Sequence, residues 1–136
     1  MTAKYSGRCL CGSIAIAIEG EPGPIELCHC LTCRRAQGTA FSANAELPAS
    51  ALSVLSGAEQ LSSYESSPGH ERLFCRNCGS PIFSRDQANP GVVRVRVGII
   101  TEPIASRPVA HFHVGSKANW WAITDTLPQY DTEREP

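Results

Sequence analysis

The sequence lacks any apolar segment that approaches the roughly 20 residues needed to cross a bilayer. Its first seven residues, Met-Thr-Ala-Lys-Tyr-Ser-Gly, also lack the apolar stretch of a secretory signal peptide. We therefore expect no membrane association and a cytoplasmic location, where thiols stay reduced.

Neither sign of charge dominates the chain. Lys and Arg together number 12 and Asp and Glu number 13, so the net charge is -1 at pH 7. No block of basic residues forms the electrostatic footprint typical of a nucleic-acid-binding protein, so a nucleic-acid partner is not expected. A chain of 136 residues predicts a single domain over 1–136 with a modest core, to which metal crosslinks would add stability.

Cysteine is abundant, and its seven copies are tightly grouped. The groups are Cys9-x-Cys11, Cys28-x-Cys30-x-x-Cys33 and Cys75-x-x-Cys78. A disulfide framework is the alternative, but an odd number leaves one cysteine unpaired, and a reducing compartment disfavours disulfides. Short spacings let neighbouring sulfurs reach one ion, so the pattern indicates zinc.

Seven cysteines divide into four and three. A structural zinc takes four protein ligands, whereas a catalytic zinc takes three and leaves one position open. Cys75-x-x-Cys78-Gly79 is typical of a zinc knuckle, because the glycine permits its tight turn, and Cys9-x-Cys11-Gly12 forms a matching partner. Two zinc ions per chain are therefore expected.

The remaining three cysteines, Cys28, Cys30 and Cys33, leave two possibilities open. A histidine could complete a second closed site, and the candidates are His29, His70, His111 and His113. In an open site, three thiolates would weaken the Lewis acidity of the ion and favour a fourth sulfur ligand over water. Such a site could hold a substrate thiol as thiolate for reaction with an electrophilic carbon, which is carbon-sulfur chemistry.

The remaining sequence predicts an all-β domain with little helix. Period-two alternation of apolar residues predicts strands, and 11 glycines and 10 prolines predict turns. The predicted strands are 13–19, 39–46, 52–55, 60–64, 71–74, 81–84, 92–97 and 109–114. One short helix is expected over 31–37, ended by Gly38, and a frayed tail over 131–136.

The ordered motifs resemble those of the glutathione-dependent formaldehyde-activating family, which includes the centromere protein V domain. The resemblance rests on Gly7-x-Cys9-x-Cys11-Gly12, Cys28-His-Cys-x-x-Cys33-Arg34, Phe74-Cys-x-x-Cys78-Gly79 and the segment 111–130. It covers about residues 7–130, the expected core.

This resemblance implies an Mss4-like, β-tent fold of short antiparallel sheets held by zinc. Cys9, Cys11, Cys75 and Cys78 would bind structural zinc, and Cys28, Cys30 and Cys33 catalytic zinc. The implied activity is that of a carbon-sulfur lyase that adds glutathione to formaldehyde, giving S-hydroxymethylglutathione. Because this chain is shorter than the formaldehyde-activating members, the metal ligands carry over more firmly than the thiol substrate does.

Six other residues are candidates for the site. His29 could shuttle a proton as a catalytic residue, or merely orient the segment between two ligands. Arg34 and Arg35 could bind a substrate carboxylate, or lie in solvent or in a salt bridge. His111 could face the site together with His113, because both would lie on one face of a strand, or both could lie on solvent. Lys117 and Trp120 could contact substrate, or be an exposed lysine and a packing residue.

The sequence is consistent with three different functions. The first is a zinc enzyme that joins a small thiol to an aldehyde. The second is a binding module that uses two zinc ions only for folding. The third is a redox protein with free thiols of low pKa, which would be free of metal.

Overall fold

The computed structural model describes residues 4–133, and within them the chain folds as ten strands and one α-helix. The helix is α1 (Leu31–Gln37). The strands are β1 (Lys4–Arg8), β2 (Ala15–Glu19), β3 (Ile25–Cys28), β4 (Ser42–Pro48), β5 (Leu52–Ser56), β6 (Leu61–Ser67), β7 (His70–Cys75), β8 (Pro81–Asp86), β9 (Val92–Arg96) and β10 (Pro108–Phe112). Single 3-10 turns lie at Ala49–Ala51, Ala58–Gln60, Val97–Ile99 and Val114–Ser116.

Two sheets make up the fold. A three-stranded sheet has the order β1-β2-β5, and a seven-stranded sheet has the order β10-β3-β4-β9-β8-β7-β6. The strand pairs are antiparallel, as the resemblance implies, except that β3 and β10 are parallel. In sequence, α1 and six other strands lie between β3 and β10, so no tight turn has to join these parallel neighbours.

The core lies between the two sheets. Ile16 and Ile18 of β2 and Val93 and Val95 of β9 are buried together with residues from five other segments. The alternate residues of the seven-stranded sheet point to its other face and are mostly polar. This division by strand parity gives the sheet one apolar face for the core and one polar face for the site.

The all-β prediction is confirmed. All eight predicted strands are present with ends shifted by at most three residues, and α1 has the predicted bounds with Gly38 in the left-handed region at φ 67°. The prediction missed β1 and β3. A single domain over 1–136 stays a prediction, and no helix within residues 4–133 is long and apolar enough to span a membrane.

Two local predictions near the C-terminus were wrong. The strand predicted to reach Val114 ends at Phe112, and His113 takes a left-handed conformation at φ 56°, so His111 and His113 do not share a strand face. In the predicted frayed tail, the carbonyls of Asp131 and Thr132 accept backbone hydrogen bonds. The last part of that tail, 134–136, lies outside the described residues.

Candidate metal centres and the adjoining cavity

The first cysteine cluster joins two turns that are far apart in sequence. Cys9 follows β1 and Cys75 ends β7, and the sulfurs of Cys9, Cys11, Cys75 and Cys78 lie within 4.8 Å of one another. The sulfur of Cys11 lies 3.6 Å from that of Cys9 and 3.8 Å from that of Cys75. Tetrahedral zinc with bonds of about 2.3 Å to sulfur requires separations of about 3.8 Å, so the residues fit this metal.

Local turns shape this four-cysteine cluster. Gly12 and Gly79, at φ 80° and 81°, follow the second cysteine of each pair and donate their N–H groups to the carbonyls of Cys9 and Cys75. Such φ values strain any residue with a Cβ, which explains the two glycines. Hydrogen bonds from Ser13 and then Asn77 lower the pKa of Cys11 to about 7. These donors favour the thiolate form that a metal requires.

The second cluster contains Cys28, Cys30 and Cys33, whose sulfurs also lie within 4.8 Å of one another. Cys28 ends β3, Cys30 is the N-cap of α1, and the Cys33 N–H donates to the sulfur of Cys30 at 3.3 Å. Over residues 4–133, no histidine, aspartate or glutamate joins this group. The three sulfurs could therefore hold a metal ion with a position left for another ligand.

A cavity of about 390 Å³ opens beside Cys28 and Cys33 on the polar face of the seven-stranded sheet. Apart from the two cysteines, Phe112 is the one apolar side chain in its lining. The polar lining residues are Glu26, Asn44, Ser66, His70, Glu71, Arg72, Ser84, Arg85, Asp86, Arg94, Arg96, His113 and Glu133. The cavity therefore suits a small, hydrophilic molecule next to the thiols.

Arg72 connects this cavity to the second cluster. Its Nη2 donates to the sulfur of Cys33 at 3.4 Å, and its Nε donates to Ser66 Oγ at 3.1 Å. The pKa of Cys33 is lowered by hydrogen bonds from Cys28 and Cys30, with further contributions from Ser42 and Arg72. Negative charge at the cluster is thus stabilised from the cavity side.

These features agree with a known family. The family model described as glutathione-dependent formaldehyde-activating enzyme matches residues 4–116. The chain belongs to this family. The match confirms the resemblance drawn from the cysteine motifs, and it includes both cysteine clusters.

Relatives of the chain support this membership. An uncharacterized lyase of Schizosaccharomyces pombe is 34% identical over 80 residues, which are 59% of this chain and 56% of that protein. A crystal structure of a Rhodobacter sphaeroides protein superposes with a TM-score of 0.59 at 26% identity, covering 76% of this chain and 99% of that one. The chain spans about half the length of the curated relatives it matches.

Most of the residues that the sequence predicted to bind substrate do not line the cavity beside Cys28 and Cys33. Arg34 donates to the carbonyl of Ser116 at 3.0 Å, and Arg35 is exposed. Lys117 donates to the carbonyls of Ala118 and Trp121. Trp120 is 64% exposed. None of these four predicted residues is among those lining the cavity.

The arginines that do line the cavity are a finding that sequence reasoning missed. They come from β7, β8 and β9, and none is adjacent to a cysteine in sequence. The one available signal was the Arg94-Val-Arg96 alternation, because residues two apart in a strand point to the same face.

His29 and His111 lie away from the cavity, in a buried aromatic group. Their rings are 0% and 2% exposed, and the ring centroids of His29 and Phe41 are 5.1 Å apart. Neither histidine lines the cavity, whereas Cys28, the neighbour of His29, does. Burial, and then the charge of His111, lower the pKa of His29 to about 4, so this ring is neutral at pH 7.

A chain of hydrogen bonds fixes the proton positions on both rings. His111 Nε2 lies 3.0 Å from Oδ2 of Asp125, a carboxylate that can only accept, and Asp125 Oδ1 accepts from the Leu127 N–H. When both rings are neutral, the Nδ1 of His111 is an acceptor, and His29 Nε2, 2.8 Å away, donates to it. His29 Nδ1 is left with a free lone pair, and it has no partner among the described residues.

The hydrogen bonds that link Asp125, His111 and His29 predict the effect of Asp125→Asn. The Leu127 N–H holds the oxygen at Oδ1, so the new amide nitrogen replaces Oδ2, which at 3.0 Å is nearer to His111 Nε2 than Oδ1 is at 3.2 Å, and donates to that ring nitrogen. The protons of both His111 and His29 should move from Nε2 to Nδ1. Long-range ¹H–¹⁵N NMR reads these tautomers directly. Asp125→Ala, which lacks the amide donor, is the control. If both rings are still protonated at Nε2 in the Asn variant, the hydrogen-bond directions assigned to Asp125, His111 and His29 are wrong.

Proposed function

We propose that the chain is a zinc-dependent carbon-sulfur lyase that joins a small thiol, glutathione or similar, to an aldehyde such as formaldehyde. Cys28, Cys30 and Cys33 hold the catalytic zinc, and the four-cysteine cluster holds a structural one. The observation that carries this proposal is the group of three converging cysteines with no fourth described ligand, at the edge of a cavity. Family membership supports the same reaction class.

The reaction forms one carbon-sulfur bond. The thiol loses its proton, its sulfur attacks the aldehyde carbon, and the carbonyl oxygen takes up a proton, so that RSH and HCHO give RSCH2OH. Zinc, when bound, supplies a soft Lewis acid that favours the deprotonated form of a coordinating thiol. The reverse sequence breaks the bond and releases both reactants.

The chain's own residues hold this site in place. Cys30 caps α1 and sets the position of Cys33 through the bond from the Cys33 N–H. Arg72 stabilises negative charge on the Cys33 sulfur. The cavity admits both reactants, and its exposed rim lets their protons exchange with water. We assign His29 to orienting the segment between Cys28 and Cys30, because its ring contacts His111 and Phe41 instead of the cavity.

Cobalt substitution tests this function against the binding-module alternative. Co(II) should fill both clusters and give thiolate charge-transfer bands, and glutathione or a simpler thiol should alter the bands of one cobalt ion. The same protein with zinc should accelerate formation of the thiol-formaldehyde adduct, followed by NMR. Two cobalt ions that ignore every thiol would contradict the enzyme and favour a module that uses metal only for folding. A thiol-rich, metal-free protein would favour the redox alternative.

A further inference from the structure

Four arginines line the cavity, but only two of them are neutralised by carboxylates. Arg94 Nη1 lies 3.1 Å from Asp86, and Arg85 Nη2 lies 3.5 Å from Glu71. Arg72 and Arg96 have no carboxylate within 4.0 Å anywhere in residues 4–133. Their hydrogen-bond acceptors are hydroxyl, amide, carbonyl and sulfur atoms. These two side chains form an unneutralised cationic pair.

Burial makes this pair of cationic side chains energetically unfavourable. Arg96 is only 5% exposed, and burial, followed by the charge of Arg72, lowers its pKa to about 10. A buried cation normally has an anionic partner, because desolvation is otherwise not offset. Four carboxylates line the cavity, those of Glu26, Glu71, Asp86 and Glu133, but none of them lies within 4.0 Å of Arg72 or Arg96, so the fold gives this pair no direct carboxylate partner.

The cysteines do not fully supply this anion. Three thiolates around a divalent ion carry a net charge of -1, whereas Arg72 and Arg96 together carry +2. Arg72 Nη1 is buried and has no hydrogen-bond partner among the described residues, so this donor is available to an anionic group that enters the cavity. Guanidinium groups bind carboxylates especially well, because their N–H donors match the two carboxylate oxygens.

The anion must also lie close to the reacting atoms. Arg72 is in direct contact with the sulfur of Cys33, at 3.4 Å, and Arg96 lines the same cavity. A carboxylate at this pair would be only a few bonds from a sulfur or carbonyl carbon at the cluster. A tripeptide whose carboxylates are distant from its sulfur fits this arrangement less well than a short mercapto acid or oxo acid.

We propose that Arg72 and Arg96 form a carboxylate-binding subsite, and that the preferred substrate carries a carboxylate within a few bonds of its reacting atom. This inference rests on the proposed thiol-aldehyde function, whose substrate class it specifies. The carboxylate belongs either to the thiol or to the carbonyl partner, and the two sources are separable by experiment.

The test titrates three thiols into the Co(II)-substituted chain. They have the same two-carbon spacer but differ in charge: 3-mercaptopropionate is anionic, 2-mercaptoethanol is neutral and cysteamine is cationic. Affinity should fall in that order, with the anionic thiol about 10- to 100-fold tighter than the neutral one, as expected for hydrogen bonds to a charged group. Thiol acidity alone gives the opposite order, because an ammonium group favours the thiolate and a carboxylate disfavours it. Glyoxylate and acetaldehyde form the matching pair of carbonyl partners.

Substitutions at two arginines of the same cavity supply the control. Arg96→Gln should abolish most of the charge preference, and Arg96→Lys, which keeps the charge, should retain part of it. Arg85→Gln should leave the preference unchanged, because Glu71 already neutralises Arg85. Simple chelation of the metal by the carboxylate would persist in Arg96→Gln, so that result would overturn the subsite.

The remaining outcomes separate the two proposals. A charge preference confined to the thiols or to the carbonyl pair supports the subsite and identifies the source of the carboxylate. Equal affinity for all three thiols, with no preference for glyoxylate, overturns the subsite and leaves the proposed function intact. If no thiol changes the cobalt bands but propionate binds to wild type and not to Arg96→Gln in calorimetry, the subsite stands and the thiol chemistry fails.

Discussion

Replacement of Cys30 by serine should reduce thiol-aldehyde adduct formation to the uncatalysed background while the chain stays folded. Cys30 is well suited to this test because its sulfur has two roles that serine separates. Serine is a preferred N-cap, so its oxygen can accept the Cys33 N–H and keep the start of α1. It is a poor substitute for a thiolate ligand, so the three-cysteine cluster should lose its metal.

Three measurements make this result specific. Metal analysis should fall from two zinc ions per chain to one, circular dichroism should be unchanged, and turnover should vanish. Thr32→Ala is the control, since Thr32 is exposed and lies between Cys30 and Cys33, and it should keep activity within about twofold. A Cys30→Ser protein with full turnover and one zinc ion would eliminate the proposed mechanism.

The cysteine clusters and α1 were predictable because short sequence spacings decide them. Cys28, Cys30 and Cys33 span only six residues, so a single turn brings their sulfurs together whatever the rest of the fold does. Predicting the four-cysteine cluster from the sequence required one further argument. Its two halves are 64 residues apart, and the need for four ligands at a closed site was enough to pair Cys11 with Cys75.

The cavity was not predictable in the same way. Arg72 lies on β7 and Arg96 on β9, and they meet because β8 lies between those strands in the sheet. Hydrophobic periodicity indicates which residues form strands, but it does not specify their order. Their position directly after Cys33 in sequence favoured Arg34 and Arg35 instead, although neither residue lines the cavity.

The two missed strands have local causes. β1 contains Gly7, which lowers strand propensity. A Cβ at this position would lie only 3.0 Å from the Ile16 side chain and from the Ile99 carbonyl oxygen, which is closer than an ordinary van der Waals contact. β3 has only four residues and follows a segment with Pro22 and Pro24. Both strands are stabilised by neighbours in the sheet more than by their own sequence, which is why pattern alone did not predict them.

The four-cysteine cluster leads to the prediction with the largest effect on stability. Cys11→Ser should lower the midpoint of thermal unfolding by more than about 15 °C, because a structural zinc contributes several kcal/mol and 1 kcal/mol corresponds to about 4 °C in a chain of this size. Cys11 is the informative member because it is exposed, whereas Cys9 and Cys75 are buried and would also leave a polar hydroxyl in the core. The loss would therefore report the metal and not packing.

The matched control for Cys11→Ser is Leu10→Ser in the same turn. Leu10 is 87% exposed, so its substitution should change the free energy of unfolding by only about 0.5 kcal/mol. A chelator added to the wild-type protein should reproduce the lowered midpoint, since it removes the same crosslink between the β1–β2 turn and the β7–β8 turn. If Cys11→Ser instead unfolds within a few degrees of Leu10→Ser, the four sulfurs do not hold a structural metal. The two turns would then be joined by core packing and by hydrogen bonds such as the one from the Leu10 N–H to Ser80 Oγ.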